Sequence, residues 1–220
     1  MTVWTISAEL GGGGPEVAAE LARRAGVALV DRPALVALAH ELDPSVGEDD
    51  ADQLERRVTG RFNALALGIA TATVPVPALE ELEFRRHLPD LARAVMREAA
   101  RGPSVMLSHA AFAVLRDHPA AIHSRLRAPF DWRVANVQRC ELLDRKAAER
   151  LVRRDDKLQH GLLRTVYHAD LDDPTAFALT IDARLGRDRI VDVLLAAAGQ
   201  SASMSDAAFL SASATSTLPE

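Results

Sequence analysis

Apolar and polar positions follow two rhythms along this chain. Short apolar runs at Val3–Ile6, Val27–Val30, Ser104–Leu107 and Ala176–Ile181 have the length of buried strands, and Ala121–Leu126 reads as a further strand. Between them, apolar residues recur at helical spacing. Val17, Leu21 and Ala25 predict one helix, and Leu35, Leu38 and Leu42 a second over Pro33–Leu42. Leu91, Val95 and Met96 give the inward face of Leu88–Ala100; Ile190, Val193 and Leu194 give that of Arg187–Ala198. Helices are also predicted over Phe62–Ala72, Ala110–Leu115, Pro129–Cys140 and, strongly charged, Asp144–Gln159.

The breaks carry turn chemistry. Gly26 stops the first helix, Gly102-Pro103 ends another, and Asp172-Asp173-Pro174 opens a turn. Residues 43–60 are acidic and polar and read as a loop followed by a helix. From Ser201 the chain is Ser/Ala/Thr-rich without periodicity, so 201–220 is expected to be a disordered tail. Strands alternating with helices predict an α/β domain around a five-stranded parallel sheet covered on both faces.

Composition narrows the picture. A length of 220 residues suits one domain. Aromatics are 4% of the chain, so Leu, Val and Ala must build the core. The net charge of −5 argues against a general polyanion binder, and no aromatic interleaving offers a nucleic-acid stacking platform. The single cysteine, Cys140, allows no internal disulfide and no Cys-based zinc site. The seven histidines show no paired ligand spacing, so no metal site is expected. No run approaches the ~20 apolar residues of a membrane span, and no signal peptide is apparent. A cytoplasmic protein is the expectation.

Two segments carry candidate chemistry. Gly11-Gly12-Gly13-Gly14 follows the first strand and precedes Pro15 at the start of a helix. Glycines let backbone N–H groups converge on an anion, and the helix adds its positive end. The loop lacks the Lys and the Ser/Thr of the pattern GxxxxGK[ST], and a tight strand-to-helix turn also explains it. The second segment lies between Arg133 and Lys157, where eight basic and five acidic residues leave a local excess of +3. Lys146, Arg150, Arg154 and Lys157 share one helix face, and Glu149 is spaced to pair with Arg153. This face is either a solvated, salt-bridged surface or an arginine arm that clamps polyphosphate.

Motifs across residues 3–199 resemble the cytidylate kinase-like family, a branch of the P-loop nucleoside-monophosphate kinases. The segment from Thr5 to Ala18 is similar to the family's TISRxxGSGGxxIA, a branch that itself has glycine where other P-loop kinases carry lysine. Val30-Asp31-Arg32 resembles its YD[KR], and Val105–Ala111 stands in the place of its VILGRGA. Leu126–Arg133 resembles LxAPxxxR, the most specific match. Asp156-Lys157, Arg164, Tyr167 and Asp170–Pro174 follow its arginine-rich lid and DWDDP ending, and Leu179–Asp182 its LVINT strand.

The resemblance implies a three-layer α/β/α P-loop kinase-like fold over residues 1–200. Residues 33–100 would be a helical acceptor-binding insertion and 144–170 a lid-like basic segment. It further implies ATP and Mg²⁺ as cofactors, and phosphoryl transfer to a nucleoside monophosphate or similar small acceptor. Arg133, Arg154, Arg164 and Asp31 are then the catalytic candidates. Gly11, Gly12, Gly13, Gly14, Arg150, Arg153 and Lys157 would hold the donor nucleotide. For Asp31 and Asp182, helix capping is the competing role. The chain departs from the family at Ala8, Gly12, His109 and Gln159, where the pattern has Arg, Ser, Arg and Arg. Those losses raise a second reading: an inactive relative that binds a nucleotide or a protein partner, or assembles with itself, in a regulatory role.

Overall fold

The buried runs pair into one parallel sheet. The computed structural model describes residues 2–42 and 93–199. Strands β1 (Val3–Ala8), β2 (Ala28–Val30), β3 (Ser104–Leu107), β4 (Ala121–Arg127) and β5 (Leu179–Asp182) lie in the order β2-β3-β1-β4-β5. Every pair is parallel, as the alternation with helices requires. The register sets Ser7 beside Arg125, and Arg125 beside Thr180. Three charged or polar edges thus converge at the carboxyl ends of β1, β4 and β5.

Helices cover both faces. They are α1 (Gly14–Ala25), α2 (Arg32–Leu42), α3 (93–101), α4 (Ala111–Val114), α5 (Phe130–Glu141), α6 (Arg145–Leu162) and α7 (187–199). One core joins Trp4, Ile6 and Val105 of the sheet to Val17 and Leu21 of α1 and Ile190, Val191 and Leu194 of α7. The indole N–H of Trp4 donates to the Leu194 carbonyl at 3.1 Å, which satisfies the one polar atom of a buried ring. The opposite face packs Val3, Val30 and Met106 against Leu35 of α2, Val95 and Ala99 of α3, and Ala111 and Leu115.

The structure shifts several expected boundaries. The fifth strand starts at Leu179, because Pro174–Ala176 winds into a 3-10 turn capped by Asp173, whose carboxylate accepts from the Thr175 N–H at 2.8 Å. The charged helix continues to Leu162 and runs into a π turn, Leu163–Tyr167. Val193 and Met96 face solvent, not the core, and Val191 and Ala99 are buried in their helices instead. The expected helix over Phe62–Ala72, most of the insertion and the tail at 201–220 lie outside the described residues.

Candidate functional site

The glycine loop is built by close approach. β1 leaves the sheet at Ala8, and the chain turns through Glu9 and Leu10 with Gly11 at φ 80° and Gly13 at φ 74°. Those left-handed conformations strain any residue with a Cβ. A Cβ on Gly11 would lie 2.5 Å from the Arg133 carbonyl oxygen, and one on Gly14 would lie 2.5 Å from the Ala8 Cβ. The loop is also tied down. The Gly12 N–H donates to the Glu9 carbonyl at 2.8 Å, and Asn136 Nδ2 of α5 donates to the Gly11 carbonyl at 2.9 Å. Packing therefore accounts for the glycines, and position 14 has no room for a lysine.

One feature of the loop goes beyond a bare turn. Among the described residues, the N–H groups of Gly13, Gly14 and Glu16 spend no hydrogen bond inside the chain. They cluster at the N-terminus of α1, the end of a helix that favours an anion. Pro15 contributes no donor, and the Glu16 carboxylate is exposed in the same turn.

Beside the loop, a small cleft opens at the strand ends under α6. Its walls include Ser7, Glu9, His109, Arg125, Asp155 and Gln159. Arg125 is only 3% exposed, because β4 sits between two strands. Its guanidinium meets Glu9 at 3.5 Å and Asp172 at 3.4 Å. Arg133, 5% exposed, forks onto Asp156 of α6 through two 2.8 Å hydrogen bonds and approaches Glu9 at 3.4 Å. Glu9 also meets Arg127 at 3.4 Å and accepts from the Ala128 N–H at 3.1 Å. Arg133 thus latches α6 to the glycine loop: it grips Asp156 of α6, and its Nη1 donates to the Leu10 carbonyl at 3.4 Å.

Burial shapes the remaining titratable groups. Desolvation, with Arg125 nearby, pushes the His109 imidazole down to about 4, so it is neutral near pH 7. Its Nδ1 is sealed from solvent and has no partner. Asp155 is pushed above the usual carboxylate range by burial, against the pull of its Gln159 hydrogen bond.

The expected site residues divide into three groups. Arg133 lies at the cleft edge. Arg150 and Lys157 stand exposed on the α6 face, Arg154 is half-buried there, and Arg153 stacks over the Phe130 ring at 4.2 Å. Glu149 accordingly pairs with Arg145 at 2.8 Å and not with Arg153. Arg164 and Asp31 lie elsewhere in local pairings. Arg164 holds Asp170 at 2.9 Å, while Asp31 accepts from the Ala34 N–H at 3.1 Å and caps α2. Asp182 caps the turn that follows β5 by accepting from the Arg184 N–H at 2.9 Å. Sequence reasoning missed Glu9, Arg125, Asp155 and Asp156. The available signal was Arg125, a charged residue inside a strand expected to be buried, which demands a carboxylate partner.

The chain's own residues do not fit Mg²⁺ at the loop. No hydroxyl follows the glycines, since positions 15–18 are Pro15, Glu16, Val17 and Ala18. His160, Asp170 and Asp172 come within metal-ligand reach of one another. Their carboxylates are already committed, Asp170 to Arg164 and the Asp172 N–H, Asp172 to Arg125 and Arg127. Among the described residues, no helix is long and apolar enough to cross a membrane.

Comparison with known proteins agrees with this geometry. The structure is similar to an uncharacterized protein from Eubacterium ventriosum (TM-score 0.66, 18% identity, covering 90% of this chain and 98% of that one). It is also similar to a gluconokinase from Sinorhizobium meliloti 1021 (TM-score 0.54, 12% identity, covering 90% and 92%). At those identities the likeness shows the fold, an α/β kinase fold with a parallel sheet. No curated protein matches the chain by sequence. The model of the cytidylate kinase-like family matches residues 3–184, most of the chain and all five strands. The chain belongs to the cytidylate kinase-like family.

Proposed function

We propose that this protein binds a nucleotide with its phosphates at the start of α1, and that it transfers no phosphoryl group above background. The observation that carries this reading is the set of unspent N–H groups at Gly13, Gly14 and Glu16 beside Ala8, Gly12 and His109, which stand where the family pattern has Arg, Ser and Arg. The donors remain for a phosphate to use. Arginines of the family pattern at positions 8 and 109 are missing, and no hydroxyl is placed to hold Mg²⁺. Losing one preorganised donor or charge costs roughly 10²–10³ in rate.

In this reading Arg150, Arg154 and Lys157 on the exposed face of α6 lie over the phosphates, and Arg153 is held by Phe130 as their support. Arg133 is a positioning residue, since its fork is occupied by Asp156. Family membership supports nucleotide and metal use in general. Any Mg²⁺ would arrive on the nucleotide.

A second reading, slow phosphoryl transfer to a small acceptor, is favoured by Asp155. A carboxyl pushed upward in a cleft is suited to take a proton from an acceptor. Coupled ATP turnover with a panel of nucleoside monophosphates and unphosphorylated hydroxyl compounds separates the two. The first reading expects saturable nucleotide binding with turnover at background. Steady ATP-dependent phosphorylation would establish the second.

A further inference from the structure

The cleft beside the glycine loop contains more carboxylate than cation. Arg125, Arg127 and Arg133 are met there by Glu9, Asp156 and Asp172, with Asp155 as a fourth carboxyl. His109 adds no charge near neutral pH. A phosphate entering this cleft would face arginines already paired and a surplus of negative groups.

Two nitrogen atoms lining it nevertheless lack hydrogen-bond partners, as does Arg133 Nε at its edge. One is His109 Nδ1; the other is Nη1 of Arg125, whose only approach is the 3.4 Å ion pair with Asp172. Buried polar atoms in folded proteins are nearly always satisfied, so each such orphan asks for a partner. Around them stand the Ser7 hydroxyl, the Gln159 amide and the Asp155 carboxyl. This is a mixed set of donors and acceptors with little net attraction for an anion. An alcohol hydroxyl both donates and accepts, so it satisfies a guanidinium donor and either tautomer of the imidazole.

We propose that this cleft binds an uncharged, hydroxyl-rich group, such as a sugar ring, and not a phosphate. The inference rests on the nucleotide-binding reading for its position next to the glycine loop, and it names the second ligand of that site. The cleft as it stands has room for little more than a water, so a ring enters only when α6, held by the Arg133–Asp156 latch, swings away. His109 selects the ligand: neutral and with its Nδ1 sealed from solvent, it welcomes a hydroxyl where a cation would welcome a phosphate. A site built to hydrogen-bond a hydroxyl discriminates strongly, because its buried polar groups are left unpaired by the wrong ligand.

The test is calorimetry on the full chain with the glycine loop saturated by a non-hydrolysable ATP analogue. The probes are matched pairs: cytidine with CMP, adenosine with AMP, ribose with ribose 5-phosphate, glycerol with glycerol 3-phosphate. At least one unphosphorylated member should bind tenfold or more tightly than its phosphorylated partner. His109→Arg should reverse that order, and His109→Gln, which keeps a neutral hydrogen-bonding group, should preserve it. The inference is overturned if the phosphorylated member binds more tightly in every pair, or if the analogue binds and no hydroxyl compound does. Should the analogue itself fail to bind, the nucleotide reading falls. The pairs titrated without it then decide the cleft's preference by the same criterion.

Discussion

A methyl group added at position 14 would have to share space with the Cβ of Ala8. The contact is to a rigid strand residue, with Leu107 Cδ1 a further 3.3 Å neighbour, so the loop cannot yield cheaply. Gly14→Ala should cost about 1–3 kcal/mol of stability, the usual range for overpacking. Ala8→Gly in the same chain should return part of that loss, which urea unfolding of the two single variants and the double variant would reveal. If the double variant is no more stable than Gly14→Ala alone, the packing explanation for this glycine fails. His109 makes a different prediction. Its folded pKa of about 4 lies below the unfolded value of ~6.5, so between those limits the unfolded chain binds the extra proton. Its neutral burial costs nothing above pH ~6.5, and stability should fall as pH drops toward 4, by up to about 3 kcal/mol. His123, also lowered by burial, adds to the same slope, while the raised Asp155 opposes it at the acid end. His109→Gln should flatten the slope measured by denaturation across that window. Single residues were only partly legible in the sequence. Asp31 and Asp182 sat where both a cap and a catalyst fit, and only the hydrogen bonds to the Ala34 and Arg184 N–H groups separate the two roles.

At the scale of elements, α6 and α5 depend on one another through Arg133. Breaking a fully buried ion pair costs about 3–5 kcal/mol; here Asp156 is 32% exposed, and the cost of Arg133→Ala should fall below that range. Arg133→Lys should recover little, since an ammonium cannot fork onto two carboxylate oxygens. Asp156→Asn keeps the shape and removes the charge, so it should loosen α6 selectively. Hydrogen exchange in residues 145–162 should quicken while the amides of β1 and β4 stay protected. Uniform quickening across the sheet would instead mean that the latch supports the whole fold. Four described strands were visible as apolar runs, and β4 was expected although His123, Ser124 and Arg125 interrupt its apolar positions. Boundaries and inward faces were less visible. Val193 and Met96 obey helical spacing, yet the buried face is centred by Val191 and by Ala99, whose small side chain lets α3 approach the sheet. The Glu149–Arg153 pairing was equally sound by spacing, and it lost to an aromatic ring that only the tertiary fold brings near.

At the scale of the whole molecule, strand order and loop position bring the glycine loop, the Glu9 carboxylate and two buried arginines to one edge of the sheet. The alternation of strands and helices made that edge legible, and the loop's glycines marked where it lies. What the sequence did not reveal is that the site's own carboxylates already occupy its buried arginines. Those pairs join Glu9 to arginines more than a hundred positions away, Arg125 to Asp172 beyond α6, and Arg133 of α5 to Asp156 of α6, and no local pattern encodes them. On the proposed reading, the kinase fold is retained around a loop that receives phosphate without the charges that speed its transfer. Isothermal titration of the full chain with ATP and CMP, with and without Mg²⁺, followed by turnover on the same samples, tests this most directly. Saturable, one-site nucleotide binding that Mg²⁺ strengthens little, with turnover at background, is the predicted result. Absence of heat from both nucleotides, or steady ATP-dependent phosphorylation, would contradict it.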